Sequence, residues 1–307
     1  RIGPTTPTLP SSHPYAPMLP EPLRETLEDR LDITVESAAA VGGGCIATAC
    51  RLETDGAPLF LKYGDEAVAR TFPGEAAGLR ALADANSPLR VPAVHDTAAP
   101  TDTRPGFLVL EWIHTGRKGR RFWGRFGEGL AQLHRHTAAA YGFEQDNFIG
   151  RTPQSNPWTD DWPTFFREAR LAPQVERARA QERWRSAWTP PLEALYRRLP
   201  EMLPATPDAS VLHGDLWGGN YMITATGDPA VIDPATYYGH READLAMTEL
   251  FGGYDDAFYA AYREAWALAP GYETRRDIYN LYHLLNHLNL FGGGYAGQVE
   301  RLLRSFG

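Results

Sequence analysis

The sequence predicts an α+β protein of two lobes, the first rich in β-strands and the second mainly helical. Strand-forming runs broken by glycine and Asp-Gly turns crowd residues 33–113, whereas helical apolar spacing dominates beyond Gly116. The length, 307 residues, suits one large domain or two modest ones.

Residues 1–22 carry seven prolines and read as extended chain, with 1–17 a flexible leader or expression remnant. The first lobe then spans 18–113 and the second 114–307. A helix over Leu23–Leu31 puts positions 23, 27 and 31 on one face. Strands follow over Ile33–Val41, Cys45–Glu53 before the hairpin pair Asp55-Gly56, and Leu59–Tyr63. Pro73 suits the first turn of a helix whose Glu75, Leu79 and Leu82 share a stripe. Val91–Thr97 and Phe107–Ile113 complete the strands. Helices are expected at Phe126–His136, Trp162–Arg170, Pro191–Leu199, Asp255–Ala267 and Arg275–Leu290. Between them, Ser210–Leu212, Tyr221–Ile223 and Ala230–Ile232 are short apolar runs separated by polar loops.

Composition excludes several function classes. A formal charge of -8 argues against a protein that neutralises nucleic-acid phosphates and suits amines better. No apolar run is long enough to span a membrane and no secretory signal is visible, so the expected compartment is cytoplasmic. The two cysteines, Cys45 and Cys50, are too close in sequence to staple distant elements. Cys45 falls in a glycine-rich loop whose amides could favour a thiolate, a possible redox-sensitive position against the plainer reading of a packed thiol.

The densest polar cluster runs from His213 to Asn220, and Asp233 ends the next apolar run. The pattern sets Asp215, Asn220 and Asp233 at strand ends on one edge. Phosphoryl transfer needs such a set: Asp215 to orient an acceptor hydroxyl and take its proton, and Asn220 and Asp233 to hold a divalent metal against nucleotide phosphates. Gly42, Gly43 and Gly44 lie between two strands, where backbone amides can approach phosphates. They form no Walker loop, since Cys45-Ile46 stands where Gly-Lys would be needed. Only two of the 30 basic residues are lysines. Lys62 lies in the third strand, and a lysine retained in an arginine-rich chain suggests a site that wants a compact point charge. Glu75 is its expected partner. Lys118, in Arg117–Arg121, reads as a solvated basic loop. His283 and His287 lie one helical turn apart, but without a third ligand they favour packing or pocket roles over zinc.

The glycine hairpin, Lys62, Glu75, the strand ending at Glu111, His213-x-Asp215 with Asn220, and Asp233 together resemble the protein-kinase-like fold. The stretch His213-Gly-Asp-Leu-Trp-Gly-Gly-Asn220, then Ile232-Asp-Pro-Ala235 and Tyr237-Tyr-Gly-His-Arg-Glu-Ala-Asp-Leu-Ala-Met247, resembles the fructosamine kinase (ketosamine-3-kinase) family. So do Asn147–Gly150 with Pro153-Gln154, and Leu281–Gly292. The likeness covers about residues 18–307. Aminoglycoside and choline kinases share the His-x-Asp logic but not the surroundings of Trp217 or the Tyr-Tyr-Gly run.

The resemblance implies ATP-dependent phosphorylation of the third-carbon hydroxyl of a ketosamine, free or on a glycated amine or protein side chain, with magnesium, or manganese in its place. In that family the 3-phosphate destabilises the adduct and the amine is regenerated. Backbone groups of Glu111, Trp112 and Ile113 would read adenine, Asp244 would cap the amides of the catalytic loop, and His213 would buttress it. Trp217 would line the sugar site or stack on an ammonium, with a packing role as the alternative, and Tyr237, Tyr238, Asn286 and His287 are pocket candidates. The rival readings are another small-molecule kinase of the same fold, acting on an aminoglycoside, choline-like amine or sugar, and a nucleotide-binding pseudoenzyme. No nucleic-acid or membrane partner is expected.

Overall fold

In a computed structural model, residues 19–42 and 47–306 are described; the leader 1–17, Gly43, Gly44 and Cys45 lie outside them. Five antiparallel strands, β1 (Val35–Ala40), β2 (Thr48–Thr54), β3 (Leu59–Gly64), β4 (Val94–Ala98) and β5 (Gly106–Glu111), form a sheet in the order β1-β2-β3-β5-β4. A helix lies on each face. Side chains alternate across a strand, so Phe107 and Val109 of β5 meet α1 (Glu21–Leu31) through Leu23 and Leu27. Leu108 and Leu110 meet the opposite helix through Phe72, Ala76 and Leu79. Burial on both faces is why β5 reads as an unbroken apolar run.

A short helix α2 (Glu66–Ala69), capped by the Asp65 carboxylate on the Val68 amide, leads into α3 (Phe72–Asp84), which begins with Pro73 in its first turn. Cys50 is a buried free thiol in β2, where desolvation pushes it up.

The second lobe opens with α4 (Phe122–His134), β6 (Thr137–Ala138) and a tight hairpin of β7 (Asn147–Ile149) and β8 (Thr152–Gln154). The single helix expected over Trp162–Arg170 is interrupted: α5 (Trp162–Phe165) widens into a π-helical turn, Phe166–Leu171, before α6 (Ala172–Ala180). Within that turn Arg170 is fully buried, donating to Ser155 O and Asn156 Oδ1 at 2.7 Å each. After α7 (Thr189–Met202) come β9 (Ala209–Leu212), the hairpin β10 (Tyr221–Ile223) and β11 (Pro229–Val231), and β12 (Tyr237–His240), which pairs with β9.

The helices α8 (Glu242–Leu250), α9 (Asp256–Ala265), α10 (Tyr272–Phe291) and α11 (Ala296–Phe306) close the lobe. The 20-residue α10 runs through the largest apolar cluster, with Ile278, Leu281, Leu285 and Leu288 among its buried side chains. Sequence reasoning did not anticipate α11, although Val299, Leu303 and Phe306 carry a helical period and are buried. Among the described residues no helix is long and apolar enough to cross a membrane.

Candidate active site

The loop after β9 is shaped by its backbone. Gly214 has φ +83°, and a Cβ there would lie 2.0 Å from the Ala235 carbonyl oxygen. The side chain of Asp244, on α8, accepts from the His213 amide at 2.7 Å and the Gly214 amide at 2.8 Å. Its third contact is His134 Nε2 at 3.2 Å, while His134 Nδ1 accepts from the Tyr262 hydroxyl at 2.9 Å. Burial lowers the pKa of His134, which keeps the ring neutral. Burial pushes Asp244 up, but the His134 and His213 rings and the Gly214 amide outweigh it, leaving the carboxyl below its usual value. Both ring nitrogens of His213 serve the loop, Nε2 donating to Ile232 O at 2.9 Å and Nδ1 accepting from the Asp215 amide at 3.3 Å. Gly214→Ala is expected to cost more than about 2 kcal/mol in denaturant unfolding, because positive φ and backbone contact are violated together.

Asp215 projects from this loop, and Asn220 Nδ2 donates to its backbone oxygen at 2.9 Å and its Oδ2 at 3.1 Å. Burial chiefly, with Asp233 and Asp244 adding and Asn220 opposing, pushes the Asp215 carboxyl up to about 7. A group that must be ionised to accept a proton then sets the sign: kcat/KM rises with pH through about 7 and levels off above it. A flat profile from about pH 5 to 9 would remove Asp215 as the titrating base.

Lys62 Nζ lies 2.8 Å from Glu75 Oε1 and 2.6 Å from Asp233 Oδ1. The lysine is 13% exposed, whereas the Asp233 side chain is 48% exposed to the cleft. Burial works against the Lys62 charge, but the two carboxylates outweigh it and hold the ammonium above its ordinary range. Burial and the Asp233 charge raise Glu75, while Lys62 opposes them. Asp233 itself has φ 54°, unusual for a residue with a side chain.

These groups line one cleft of about 530 Å³ between the lobes. Gly42, Lys62 and Glu75 lie on its first-lobe side, Glu111, Trp112 and Ile113 where the chain crosses over, and Asp215, Trp217, Asn220, Asp233, Asn286 and His287 on the second-lobe side. The Glu111 carboxylate is engaged by Arg90 and the Ala93 amide. The Trp217 ring is 42% exposed. Two expectations are corrected. Tyr237 and Tyr238 do not line the cleft: β12 pairs with β9, and its side chains alternate between faces that both lie within the second lobe. Tyr237 is 2% exposed beneath the Arg170 guanidinium, 3.9 Å from its ring centroid, and Tyr238 stacks with Trp158. Lys118 stands in an exposed loop, as expected, with its ammonium 4.2 Å from the Trp123 ring centroid.

The family model for fructosamine kinase matches residues 21–306. The chain belongs to the fructosamine kinase family. A probable ketoamine kinase of Synechocystis is 42% identical, covering 88% of this chain and 90% of its own length. The chloroplastic protein-ribulosamine 3-kinase of Arabidopsis thaliana is 36% identical over 95% of this chain and 89% of its own. A solved Thermobifida fusca structure, a candidate fructosamine-3-kinase, superposes with a TM-score of 0.82 at 32% identity, covering 92% of this chain and 97% of that one. The aminoglycoside phosphotransferase APH(4)-Ia, at 15% identity and TM-score 0.64, shares the fold, covering 92% of this chain and 98% of its own. The fold is thus kinase-like, with a β-rich first lobe and a helical second.

The donor atoms of the two residues expected to hold a divalent metal are compatible with one. Asn220 turns its amide nitrogen to Asp215, which directs the amide oxygen elsewhere, and Asp233 keeps its half-exposed carboxylate in the cleft. Two oxygen ligands suit magnesium, which otherwise takes phosphate oxygens and water. Among the described residues no group of three His, Cys, Asp or Glu side chains could hold a metal alone. His287 is tied within α10 by its Nδ1, which donates to His283 O at 2.9 Å, while the His283 ring is buried and pushed down to about 3 by desolvation. His134, which braces Asp244, went unseen in the sequence because it sits on a leucine-lined helix face with no motif around it.

Proposed function

We propose that the protein is an ATP-dependent ketosamine 3-kinase that works by positioned charge. Asp215 takes the proton of the third-carbon hydroxyl as it attacks the γ-phosphorus and the bond to the ADP oxygen breaks. Lys62, fixed by Glu75, leaves its contact with Asp233 to hold the nucleotide phosphates, and backbone groups of Glu111–Ile113 read the adenine. Asn220 and Asp233 would hold magnesium, which when bound would offset charge on the phosphate oxygens. Trp217, with Asn286 and His287, offers an aromatic face to the sugar and the neighbouring ammonium.

The observation that carries this reading is the convergence of Lys62, Glu75, Asp215, Asn220 and Asp233 in one cleft of a chain whose family match is nearly full-length. A small acceptor is favoured because only Pro234, Ala235 and Thr236 separate Asp233 from β12, which leaves no peptide-docking segment. The product's instability makes the reaction a deglycation. Mass-shift assays with four-, five- and six-carbon ketosamines, ATP and magnesium, beside aminoglycosides and choline, test it. Phosphorylation of ketosamines alone is the expected result, and turnover of aminoglycosides alone would overturn the substrate reading.

A further inference from the structure

The hairpin from Asn147 to Gln154 takes no part in the chemistry above, yet its two end residues are polar and almost wholly buried, at 3% and 2% exposure. Buried amides are retained where they are bonded, and their partners lie beside the metal loop. Asn147 Nδ2 donates to the Thr236 carbonyl at 2.7 Å. Gln154 Nε2 donates to the Ala235 carbonyl at 3.0 Å and to Asn147 Oδ1 at 2.8 Å, and Gln154 Oε1 accepts from the Tyr282 hydroxyl at 2.6 Å. Ala235 and Thr236 follow Asp233 by two and three residues, and Asp233 is the residue with positive φ. Such a backbone persists only where its surroundings hold it.

The same hairpin touches the helix that carries Glu75. A Cβ on Gly74 of α3 would lie 2.7 Å from Asn147 Cβ, and one on Gly78 would lie 2.8 Å from Thr236 Oγ1. The helix therefore rests directly on Asn147 and Thr236. Gln145 Nε2 adds a bond to Pro73 O at 3.0 Å, and Arg70 stacks over Phe148.

We infer that Asn147 and Gln154 are positioning residues that aim Asp233 at its metal through the Ala235 and Thr236 carbonyls, and that the glycine face of α3 ties Glu75 to the same support. The inference rests on the reading of Asp233 as a metal ligand.

The test compares the wild-type chain with Asn147→Leu, Gln154→Met, Tyr141→Phe and Gly78→Ala. Binding of Mn²⁺ in the presence of ADP is measured by electron paramagnetic resonance, alongside the Mg²⁺ dependence of turnover and the melting temperature. Asn147→Leu and Gln154→Met should weaken Mn²⁺ binding and raise the half-saturating Mg²⁺ by about tenfold, the size expected for a lost buried hydrogen bond, with the ketosamine KM nearly unchanged. Tyr141→Phe removes a hydroxyl bond of similar length, to the Pro207 carbonyl, that touches neither Gln154 nor the metal loop, and should lower the melting temperature while leaving Mn²⁺ affinity at the wild-type value. Gly78→Ala keeps every polar partner and should shift Mn²⁺ binding the same way, so it decides the question if either hairpin variant fails to fold. Wild-type Mn²⁺ affinity in variants that only melt earlier would overturn the inference. A wild-type protein that binds no Mn²⁺ beside ADP would overturn the metal reading of Asp233 and this role with it, whereas normal Mn²⁺ binding without ketosamine turnover would strike only the substrate assignment.

Discussion

An Asp215→Asn protein is expected to turn over ketosamine on the order of 10²–10⁴ times more slowly than wild type, the range typical of general acid–base groups. The same protein should be the more stable of the two. Burial holds the Asp215 carboxyl near 7, far above its value in the unfolded chain, so folding disfavours the ionised form. The penalty is absent below the unfolded value, grows as pH rises from about 4, and is complete above about 7, where it is on the order of 2–4 kcal/mol. An amide of the same shape escapes it. Thermal unfolding at about pH 8 should therefore favour Asp215→Asn, and the advantage should shrink at about pH 5. Loss of rate without this pH-dependent gain would mean that the carboxylate is better solvated than the cleft geometry indicates. Retained rate would remove Asp215 as the base.

Lys62→Arg is expected to lower kcat/KM by about 10² or more, although the charge is kept, because a preorganised donor to developing phosphate charge is lost. The ammonium occupies a narrow space between Glu75 and Asp233, at 2.8 and 2.6 Å. A guanidinium is broader, carries its donors in a plane and pairs two-pronged with one carboxylate, so it would hold Asp233 rather than release it to the metal. Lys118→Arg supplies the contrast. That cation lies over the exposed side of Trp123, where a guanidinium stacks equally well, and kcat/KM should stay within about twofold of wild type. Equal losses in both variants would show that the chain needs lysine for reasons unrelated to the cleft.

Much of the first lobe was legible because its strands are short, alternate in register and end at strong turn residues. Phe107–Leu110 showed itself as a strand by four apolar residues in a row. The placement of Lys62, Glu75, Asp215, Asn220 and Asp233 followed from residue type and order, since polar side chains stand out against apolar runs, inside β3 and α3 for the first two and in the loops beside β9, β10 and β11 for the others. Tyr237 and Tyr238 were misplaced for the opposite reason: closeness in sequence to Asp233 says nothing about which face of β12 a side chain takes, and pairing with β9 decides that. The π-helical turn at Phe166–Leu171 left no periodic trace, because one extra residue in a helix shifts the phase without changing composition. Gly74 and Gly78, residues that cost stability inside a helix, lie where Asn147 and Thr236 approach, a contact that no sequence pattern announced.

The link between Asp233 and β12 has a consequence for how the protein's output is governed. It is three residues long, and Thr236, its one hydroxyl-bearing side chain, is fully inaccessible. An upstream enzyme finds no accessible hydroxyl in this link, so a covalent on–off signal of the kind an activation segment carries has no place to land between Asp233 and β12.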